Sequence, residues 1–436
     1  MSDASELGHY YTGVEFVADS SVRDGLADGI IASSVTCRRA AAEWTVEPIT
    51  DYQAFLDLEP VWNKLVDEAN ADHPFVRYDW VRVWWECFGT GQELYILLVK
   101  ADREPVAIVP LMSCERRLCG LPVRQLQFIW NVYAERFDFI IGRWPQAAYC
   151  ATLAHLLAQK KCWDLLLLHQ LPAGSPSLTE MRRLAVEHGI RVELHRSADS
   201  PYVPITGSWE SYCKSLDSKH RSNLRNRQKR LSQLGSVSLE TVSSVKDLAQ
   251  ALEDGFRLEA AAWKGRAGSA IQNCLDVRRF YTRIAQVAAE RGSLRLCFLT
   301  LNGKRIAFAY FLEHGNKLYL LKLGYDPRYA CYSPSTLLCN LVLRDAFDRQ
   351  LIQVDFLGVA DPWKLCWTKS LRTHYWLYLF PDRLKPRLLH WLRFHLRPAL
   401  GQVRVLRIVC AAAFTALRSS WRRSSAQRAL IGSRLL

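Results

Sequence analysis

The sequence predicts two α+β domains of one architecture, each a mixed, mostly antiparallel sheet flanked by helices. Its 436 residues are long enough for two cores, and a hydrophobic content of 49% is sufficient to fill them. An internal repeat gives the architecture. The segments LYILLVKADREPVAIVPL (94–111) and LRLCFLTLNGKRIAFAYF (294–311) each resemble two strands joined by a polar turn.

Helical periodicity precedes each of these hairpins, and a strand, a helix and a last strand follow it. The first series comprises helices at 52–69 and 78–88, strand RFDFIIG (136–142), helix 146–160 and strand 162–171. The second comprises helices at 211–235, 246–263 and 277–292, strand 317–325, helix 336–347 and strand 351–358. The shared order predicts domains at 43–200 and 201–382 that meet near 197–207, with a leader at 1–42 and a tail at 383–436.

Cysteine spacing and the N-terminal residues indicate a cytoplasmic protein. The thirteen cysteines are scattered without a CxxC pair, so they fit neither a disulfide framework nor a zinc site. The first thirty residues lack the basic and then apolar start of a secretory signal. We therefore expect reduced thiols and no metal cofactor.

The net charge of +14 is concentrated at the C-terminus. Residues 383–436 contain twelve Lys and Arg and no acid, which leaves 45 basic and 43 acidic residues in the remainder. Within this tail Leu388, Leu389, Leu392 and Leu396 recur at helical spacing near Trp391, a pattern typical of helices on anionic membranes. The alternative is a helix packed on the body. Contact peripheral to the inner membrane is the prediction, since arginines interrupt any spanning stretch.

The segment YDPRYACYSPSTLL (325–338) joins a strand to a helix and is a candidate anion site. Ser333 suits the N-cap, Pro334 the first helical position, and Ser335 places a hydroxyl beside free amides. Lys322 and Arg328 would add positive charge for a pyrophosphate. The alternative is an ordinary helix start without a ligand.

Several motifs of the second half occur together in one family. SKHRSNLRNRQKRL, LTLNGKRIAFAYFL, LKLGYDPRYACYSPSTLL and VDFLGVADPWKLCWT resemble the GNAT-type acyltransferases of the CelD/BcsL group, which are related to Fem peptidyltransferases and often encoded with cellulose or exopolysaccharide genes. The resemblance covers about 43–382. It implies tandem GNAT domains, with acetyl-CoA or another acyl-CoA held at the Ser-Pro turn. Many members have Ser-Pro-Gly there, whereas this chain has Ser335.

The resemblance also implies transfer of an acyl group to an amino sugar or glycan precursor. Such a reaction needs an amide to polarise the thioester, a base and a proton donor, and strand 317–324 would supply the amide. Asp355 is a candidate base because desolvation in its apolar strand would raise its pKa, although it would equally suit a loop anchor. Glu259 is a second candidate base, Tyr325 a candidate proton donor, and Lys364 matches the lysine of a family Tyr-Lys element.

The resemblance also implies which residues lie near the acceptor. Trp263 and Lys264 resemble a motif near the acceptor, and Arg221 and Arg225 share one face of a basic helix that would line a groove. The alternatives are a solvated helix, or binding of charged tRNA as in Fem relatives; nucleic acid is otherwise not expected. A further alternative is a non-catalytic assembly factor in exopolysaccharide synthesis. The first domain is expected to lack an equivalent of the Ser-Pro turn.

Overall fold

The computed structural model describes residues 42–261 and 271–396. The predicted leader, apart from Ala42, and the tail beyond Leu396 lie outside these ranges. The strands are Trp44–Ile49 (β1), Glu93–Ala101 (β2), Glu104–Leu118 (β3), Leu121–Phe128 (β4), Ile140–Ile141 (β5), Leu165–Pro172 (β6), Arg191–Pro204 (β7), Val237–Val242 (β8), Leu294–Leu301 (β9), Lys304–His314 (β10), Lys317–Tyr325 (β11), Gln353–Asp355 (β12) and Leu371–Phe380 (β13).

Helices flank these strands; each predicted helical region contains a helix, whereas those at 176–187 and 362–365 were not predicted. The helices are Tyr52–Asp57 (α1), Glu59–Glu68 (α2), Tyr78–Phe88 (α3), Pro145–Ala158 (α4), Pro176–Glu187 (α5), Trp209–Ser215 (α6), Ser218–Ser232 (α7), Leu248–Ala261 (α8), Leu275–Glu290 (α9), Pro334–Asp348 (α10), Pro362–Leu365 (α11) and Leu384–Trp391 (α12). Short 3-10 turns cover Pro74–Val76, Ile271–Asn273 and Pro327–Tyr332, and a π-helical turn covers Leu392–Leu396.

The strands form one mixed sheet in the order β1-β2-β3-β4-β6-β13-β7-β12-β11-β10-β9-β8, with β5 paired to β3. Two pairs, β4 with β6 and β11 with β12, are parallel. The predicted fold class, a mixed and mostly antiparallel sheet flanked by helices, is confirmed.

The two halves of this sheet, residues 42–204 and 205–396, repeat one strand order outward from the centre. In each half, a hairpin with a two-residue turn leads to a strand that pairs in parallel with the strand after the next helix. The turns at Asp102-Arg103 and Asn302-Gly303 all have positive φ, between 50° and 76°. This backbone is that of a type I′ turn, whose twist matches the flanking strands.

The halves are joined because each contributes a strand to the centre of the sheet. Strand β13 lies between β6 and β7, and β7 pairs on its other side with β12. The predicted boundary at residue 200 thus falls within β7, and 371–380, assigned from sequence to the second domain, pairs with strands of the first. The division into domains at this residue stays a prediction.

The core of the second half has two layers, because successive side chains of its strands point to opposite faces of the sheet. Leu296 and Phe298 on β9 face α8 and α9, whereas Leu299 and Leu301 face α7 and α10. Both sides of this sheet are therefore buried under helices. The first layer is continuous with the core of the first half, where Trp80 of α3 meets Phe280 of α9 edge-on at 5.1 Å.

The segment RFDFIIG is not the strand that the sequence predicts. Residues 129–139 form an extended loop, and only Ile140–Ile141 pairs, with Ala107 and Ile108 of β3. The charged residues of the loop have partners away from the sheet edge: Arg136 reaches Asp355 in the other half, and Asp138 accepts the amide of Phe139. These polar contacts keep residues 136–139 out of the sheet, although their apolar pattern is that of a strand.

The C-terminal helix α12 packs against the sheet through one side. Leu389 is fully buried with Phe380, whereas Leu384, Leu388 and Trp391 are 85%, 48% and 48% exposed. The leucine pattern in the sequence therefore divides into a packed side and an exposed side. Within residues 42–261 and 271–396, no helix combines the length and apolarity needed to cross a bilayer.

Candidate active site

Strands β11 and β12 separate after three residue pairs. Lys317, Leu318 and Tyr319 pair with 353–355, where β12 ends, but β11 continues to Tyr325. Within the described part of the chain, no strand pairs with residues 320–325 on this side. This side of β11 therefore borders an opening that no strand of the described residues fills.

A bulge in β11 lies at the start of this opening. Tyr310 is opposite Lys322 and Phe311 is opposite Leu320, so Leu321 is an extra residue in the ladder. Bulges redirect side chains and are frequent beside active sites. The bulge lies within 317–324, the strand expected to supply an amide to the thioester carbonyl.

Helix α10 begins directly after β11 and a 3-10 turn. Pro334 occupies the first helical position as predicted, and the Ser335 hydroxyl donates to the carbonyl of Gly324 at 3.5 Å. The Ser335 amide lies in the first turn, where a helix provides no acceptor. Ser333 does not cap the helix with its side chain, contrary to the prediction. Its backbone is left-handed, with φ 49° and ψ 61°, and its carbonyl instead accepts the amides of Thr336 and Leu337.

Gly324 brings α8 against the end of β11. A Cβ at this glycine would lie 2.3 Å from the Cα of Glu259, so no other residue allows this approach. Glu259 is fully buried and accepts the amide of Ile271 at 3.0 Å. The predicted acceptor residues Trp263 and Lys264 lie outside the described residues.

Asp355 lies at the end of β12 in a buried ion-pair network. Its Oδ2 accepts from Arg136 at 2.9 Å and from Arg372 at 2.5 Å, and its Oδ1 accepts the amide of Leu357 at 3.0 Å. Asp355 and Arg136 are both fully buried. These contacts favour the alternative role, in which the carboxylate anchors the loop after β12 and holds the two halves together.

The sequence reasoning missed Glu135, which belongs to the first-half loop and lies beside this network. Its side chain is half-buried and lies next to Gly358, in the loop after β12. A Cβ at Gly358 would lie 3.9 Å from Oε1 of Glu135 and 3.2 Å from Nζ of Lys364, so the carboxylate and the ammonium flank this glycine. Burial raises the pKa of Glu135, opposed by the charges of Lys364 and Lys322.

Lys364 lies at the predicted place and is held firmly. Its Nζ donates to the carbonyls of Leu357 and Val359 at 2.8 and 2.9 Å, and lies 3.4 Å from Asp361. Burial lowers its pKa, and the carboxylates of Asp361 and Glu135 oppose that shift. The lysine therefore fixes the loop 357–361 and places positive charge next to Glu135.

Lys322 lies on the Glu135 side of β11. Its Nζ lies 4.9 Å from the ring centre of Tyr281 and 5.3 Å from that of Tyr133, a cation–π arrangement. Its positive charge opposes the rise in the pKa of Glu135, and its role in binding a pyrophosphate stays a prediction.

Arg328 and Tyr325 lie nearer the helix start. The exposed guanidinium of Arg328 pairs with the buried carboxylate of Asp326 at 2.6 Å, so its charge is already compensated. Tyr325 is half-buried at the end of β11, in the core layer under α7 and α10.

The basic helix α7 runs beside the 3-10 turn that precedes α10. Asp217 caps α7 by accepting the amides of Lys219 and His220, and Arg230 lies over the ring of Tyr332 at 5.3 Å. Arg221 is half-buried and Arg225 is exposed. The structure therefore places the positive charge of Arg230 beside the turn that precedes α10.

Comparison with known proteins agrees with this geometry. Residues 218–365 match the family model described as an acetyltransferase (GNAT) domain. The crystal structure of FemX is similar over 80% of this chain and 100% of its own length, with 12% identity and a TM-score of 0.53. The fold is that of the GNAT acyltransferases. The matched range contains β11, the Ser-Pro turn and Lys364, whereas Glu135 precedes it.

Two further solved structures are similar at lower scores. One is a conserved protein of unknown function from Bacteroides thetaiotaomicron VPI-5482, with 12% identity, 77% of this chain and 100% of that chain covered, and a TM-score of 0.47. The other is a tandem GNAT protein from the clavulanic acid biosynthesis pathway, with 13% identity, 77% and 98% covered, and a TM-score of 0.39. No curated protein sequence matches the chain. Membership of the CelD/BcsL group stays a prediction.

Proposed function

We propose that this protein transfers an acyl group from acetyl-CoA or another acyl-CoA to an amino sugar or glycan precursor of the cell envelope. The observation that carries the proposal is the opening between β11 and β12, with a bulge at one end and the start of α10 at the other. The matched GNAT domain, which implies acyl-CoA as co-substrate, spans this opening.

On the donor side, we assign the pyrophosphate of acyl-CoA to the first turn of α10. The Ser335 amide and the helix dipole attract an anion there, and the adjacent α7 adds positive charge. The thioester arm would follow residues 320–325 of β11, along the side that no described strand covers, where a backbone amide near Leu321 polarises the carbonyl.

On the acceptor side, we assign the base to Glu135. The acceptor nitrogen or oxygen attacks the thioester carbon and loses its proton to the Glu135 carboxylate, while the carbon–sulfur bond breaks. Tyr325 supplies the proton that the leaving thiolate takes up. A carboxylate whose pKa is raised toward the working pH is a better base than an ordinary glutamate.

Calorimetric titration of acetyl-CoA and free CoA into the full chain tests the donor site. We expect micromolar binding to the wild type and loss of binding in Ser335→Trp. Gln146→Trp is the matched control, because Trp144-Pro145-Gln146 starts α4 as Ser333-Pro334-Ser335 starts α10. Absence of heat in the wild type, or equal losses in both variants, would contradict the proposal.

A second candidate is transfer of an aminoacyl group from charged tRNA, as predicted from the Fem resemblance. The specific observation in its favour is the position of α7, which contains six Lys and Arg and whose Arg230 lies over Tyr332 of the turn that precedes α10. RNA binding that weakens steeply with salt and is lost in Arg221→Ala/Arg225→Ala would favour this candidate. RNA binding that these substitutions leave intact would dismiss it.

We further propose a cytoplasmic protein held at the inner membrane surface by residues 383–436. The exposed side of α12, with Leu384, Leu388 and Trp391, supports this placement. Arg383 and Lys385 pair with Asp164, so their charge is partly compensated within the body. Flotation with anionic liposomes, with and without the tail, is the test, and equal flotation of both forms would contradict it.

A further inference from the structure

Three metal-ligating side chains come together at the C-terminal helix, away from the elements of the acyl-transfer site. They are Glu193 on β7, His390 on α12 and His395 in the π-helical turn, and one ligand atom from each lies within 4.8 Å of the others. Oε1 of Glu193 and Nε2 of His390 are 2.8 Å apart. No sequence motif indicates this cluster, because Glu193 is separated from the histidines by almost 200 residues.

Packing fixes the first histidine. His390 is 8% exposed, and its ring contacts those of Phe380 and Phe394 with centroids 5.4 and 5.5 Å away. Glu193 lies opposite Tyr378 in the ladder between β7 and β13, and Leu389 anchors the helix over the same strands. Carboxylate and imidazole are therefore held by rigid elements rather than by a surface loop.

The π-helical turn brings the second histidine to the first. Positions i and i+5 of an α-helix point about 140° apart, so His395 would face away from His390 in a regular helix. In the turn Leu392–Leu396 the hydrogen bonds span five residues, and the two rings lie 5.4 Å apart, centroid to centroid. Such turns are rare and frequently occur at functional sites.

We propose that Glu193, His390 and His395 bind a divalent transition-metal ion of the zinc class. Two imidazoles and one carboxylate are a ligand set that zinc uses, with the fourth position left to water or another ligand. Nitrogen ligands disfavour magnesium and calcium, which require oxygen. Tetrahedral ligand atoms about 2.0–2.1 Å from zinc are roughly 3.3 Å apart, so the Glu193–His390 contact must open by about half an ångström.

The ion would connect the end of the described chain to the central sheet. Without it, one hydrogen-bonded pair, Glu193 with His390, joins α12 to β7, and His395 is exposed. With it, the π-helical turn would be fixed to the same strand, because a bound metal adds its binding free energy to the folded state. The proposal does not depend on the acyl-transfer function.

Metal binding by the full chain tests the inference. After dialysis against a chelator, Zn²⁺ titration followed by elemental analysis should give a single tight equivalent. His395→Ala should weaken binding by more than about 100-fold, since loss of outer-shell partners alone costs 10–100-fold. Glu193→Gln should weaken binding as well. His188→Ala removes an exposed histidine at the C-cap of α5 and is the matched control.

Cobalt(II) substitution separates this site from the cysteines. The expected absorption spectrum shows nitrogen and oxygen ligation without a thiolate charge-transfer band, and it is lost in His395→Ala. Zinc binding of equal affinity in wild type and His395→Ala, or a thiolate band in the wild type, would overturn the proposal. Because His395 is exposed, its replacement leaves the core intact, and a circular dichroism spectrum confirms that the variant is folded.

Discussion

The two halves of the molecule begin their equivalent helices in the same way. Trp144 has φ 50° and ψ 57° before Pro145, and Ser333 has φ 49° and ψ 61° before Pro334. The first half therefore contains the backbone equivalent of the Ser-Pro turn, contrary to the expectation from its sequence. A left-handed residue followed by proline is thus a property of the repeated architecture, and it does not by itself make a donor site.

What differs between the halves is the strand before the turn. Strand β4 ends one residue after its parallel pairing with β6, and its ladder with β3 contains no bulge. Strand β11 continues six residues beyond its pairing with β12 and carries the bulge at Leu321. In the first half the chain instead enters the loop that carries Glu135 and Arg136 to the other half. The second half contains the opening, and the first half contributes the side chains of Glu135 and Arg136 beside it.

The largest expected effect is on turnover and comes from replacing Glu135, the carboxylate that the first half contributes. Glu135→Gln should lower kcat by about 10²–10⁴-fold, because it removes the proposed base while it preserves shape. The measurement is thiol release from acetyl-CoA with a panel of amino sugars, glucosamine first. Wild-type activity should fall as the pH drops through the raised pKa of Glu135, and that acid limb should be absent from the variant.

Asp138→Asn is the control for this comparison, since it removes a carboxylate from the same loop. Asp138 is directed toward Ser175 and Ser177 at the start of α5, and burial raises its pKa to about 6. Its kcat per folded molecule should match that of the wild type. A large loss in Asp138→Asn with none in Glu135→Gln would reverse the assignment of the base.

A second substitution tests how the halves are held together. Asp355→Asn leaves the guanidinium of Arg136 buried without its full counter-charge, and we expect a loss of about 3–5 kcal/mol in the free energy of unfolding. The equivalent position in the first half is the buried Leu167, which needs no partner. Denaturant unfolding measures the loss.

The exposed pair of Asp382 with Arg387 provides the reference for Asp355. Asp382→Asn should leave the unfolding midpoint nearly unchanged, because a solvated pair contributes little to stability. If Asp355→Asn abolishes turnover while the free energy of unfolding stays unchanged, Asp355 is the base that the sequence predicts, and the anchoring role is wrong.

These contrasts show which features could be predicted from sequence. The hairpins could, because apolar strands on both sides of a polar turn, such as Asn302-Gly303, specify them locally. The loop at 129–139 could not, since RFDFIIG has the apolar pattern of a strand and the partner of its Arg136, Asp355, lies more than 200 residues away. The charged pair Glu135-Arg136, which interrupts an aromatic run, was the sequence feature that could have indicated this loop. Sequence patterns predict local secondary structure, whereas this site depends on contacts between residues of the two halves.

A third prediction concerns the close approach of α8 to the opening. Gly324→Ala would place a methyl group 2.3 Å from the Cα of Glu259, so either helix or strand must move. We expect a loss of about 1–3 kcal/mol in the free energy of unfolding, the usual cost of overpacking. Gly174→Ala in the first half is the control, because its Cβ would meet nothing within 4 Å. Equal unfolding midpoints for the two variants would contradict the tight contact.

The smallest expected effect concerns the left-handed turn itself. Ser333→Gly should relieve the strain of a left-handed serine and stabilise the protein by roughly 0.5 kcal/mol, after the added chain entropy of glycine is subtracted. Ser208→Gly is the matched comparison, since Ser208 has φ −98° and caps α6 by accepting the amide of Ser211. Its replacement should destabilise by a few tenths of a kcal/mol. Thermal unfolding should therefore shift in opposite directions. A shift in the same direction would mean that the left-handed backbone of Ser333 has no conformational cost. Local bonding, rather than the surrounding fold, would then hold the turn that the two halves share.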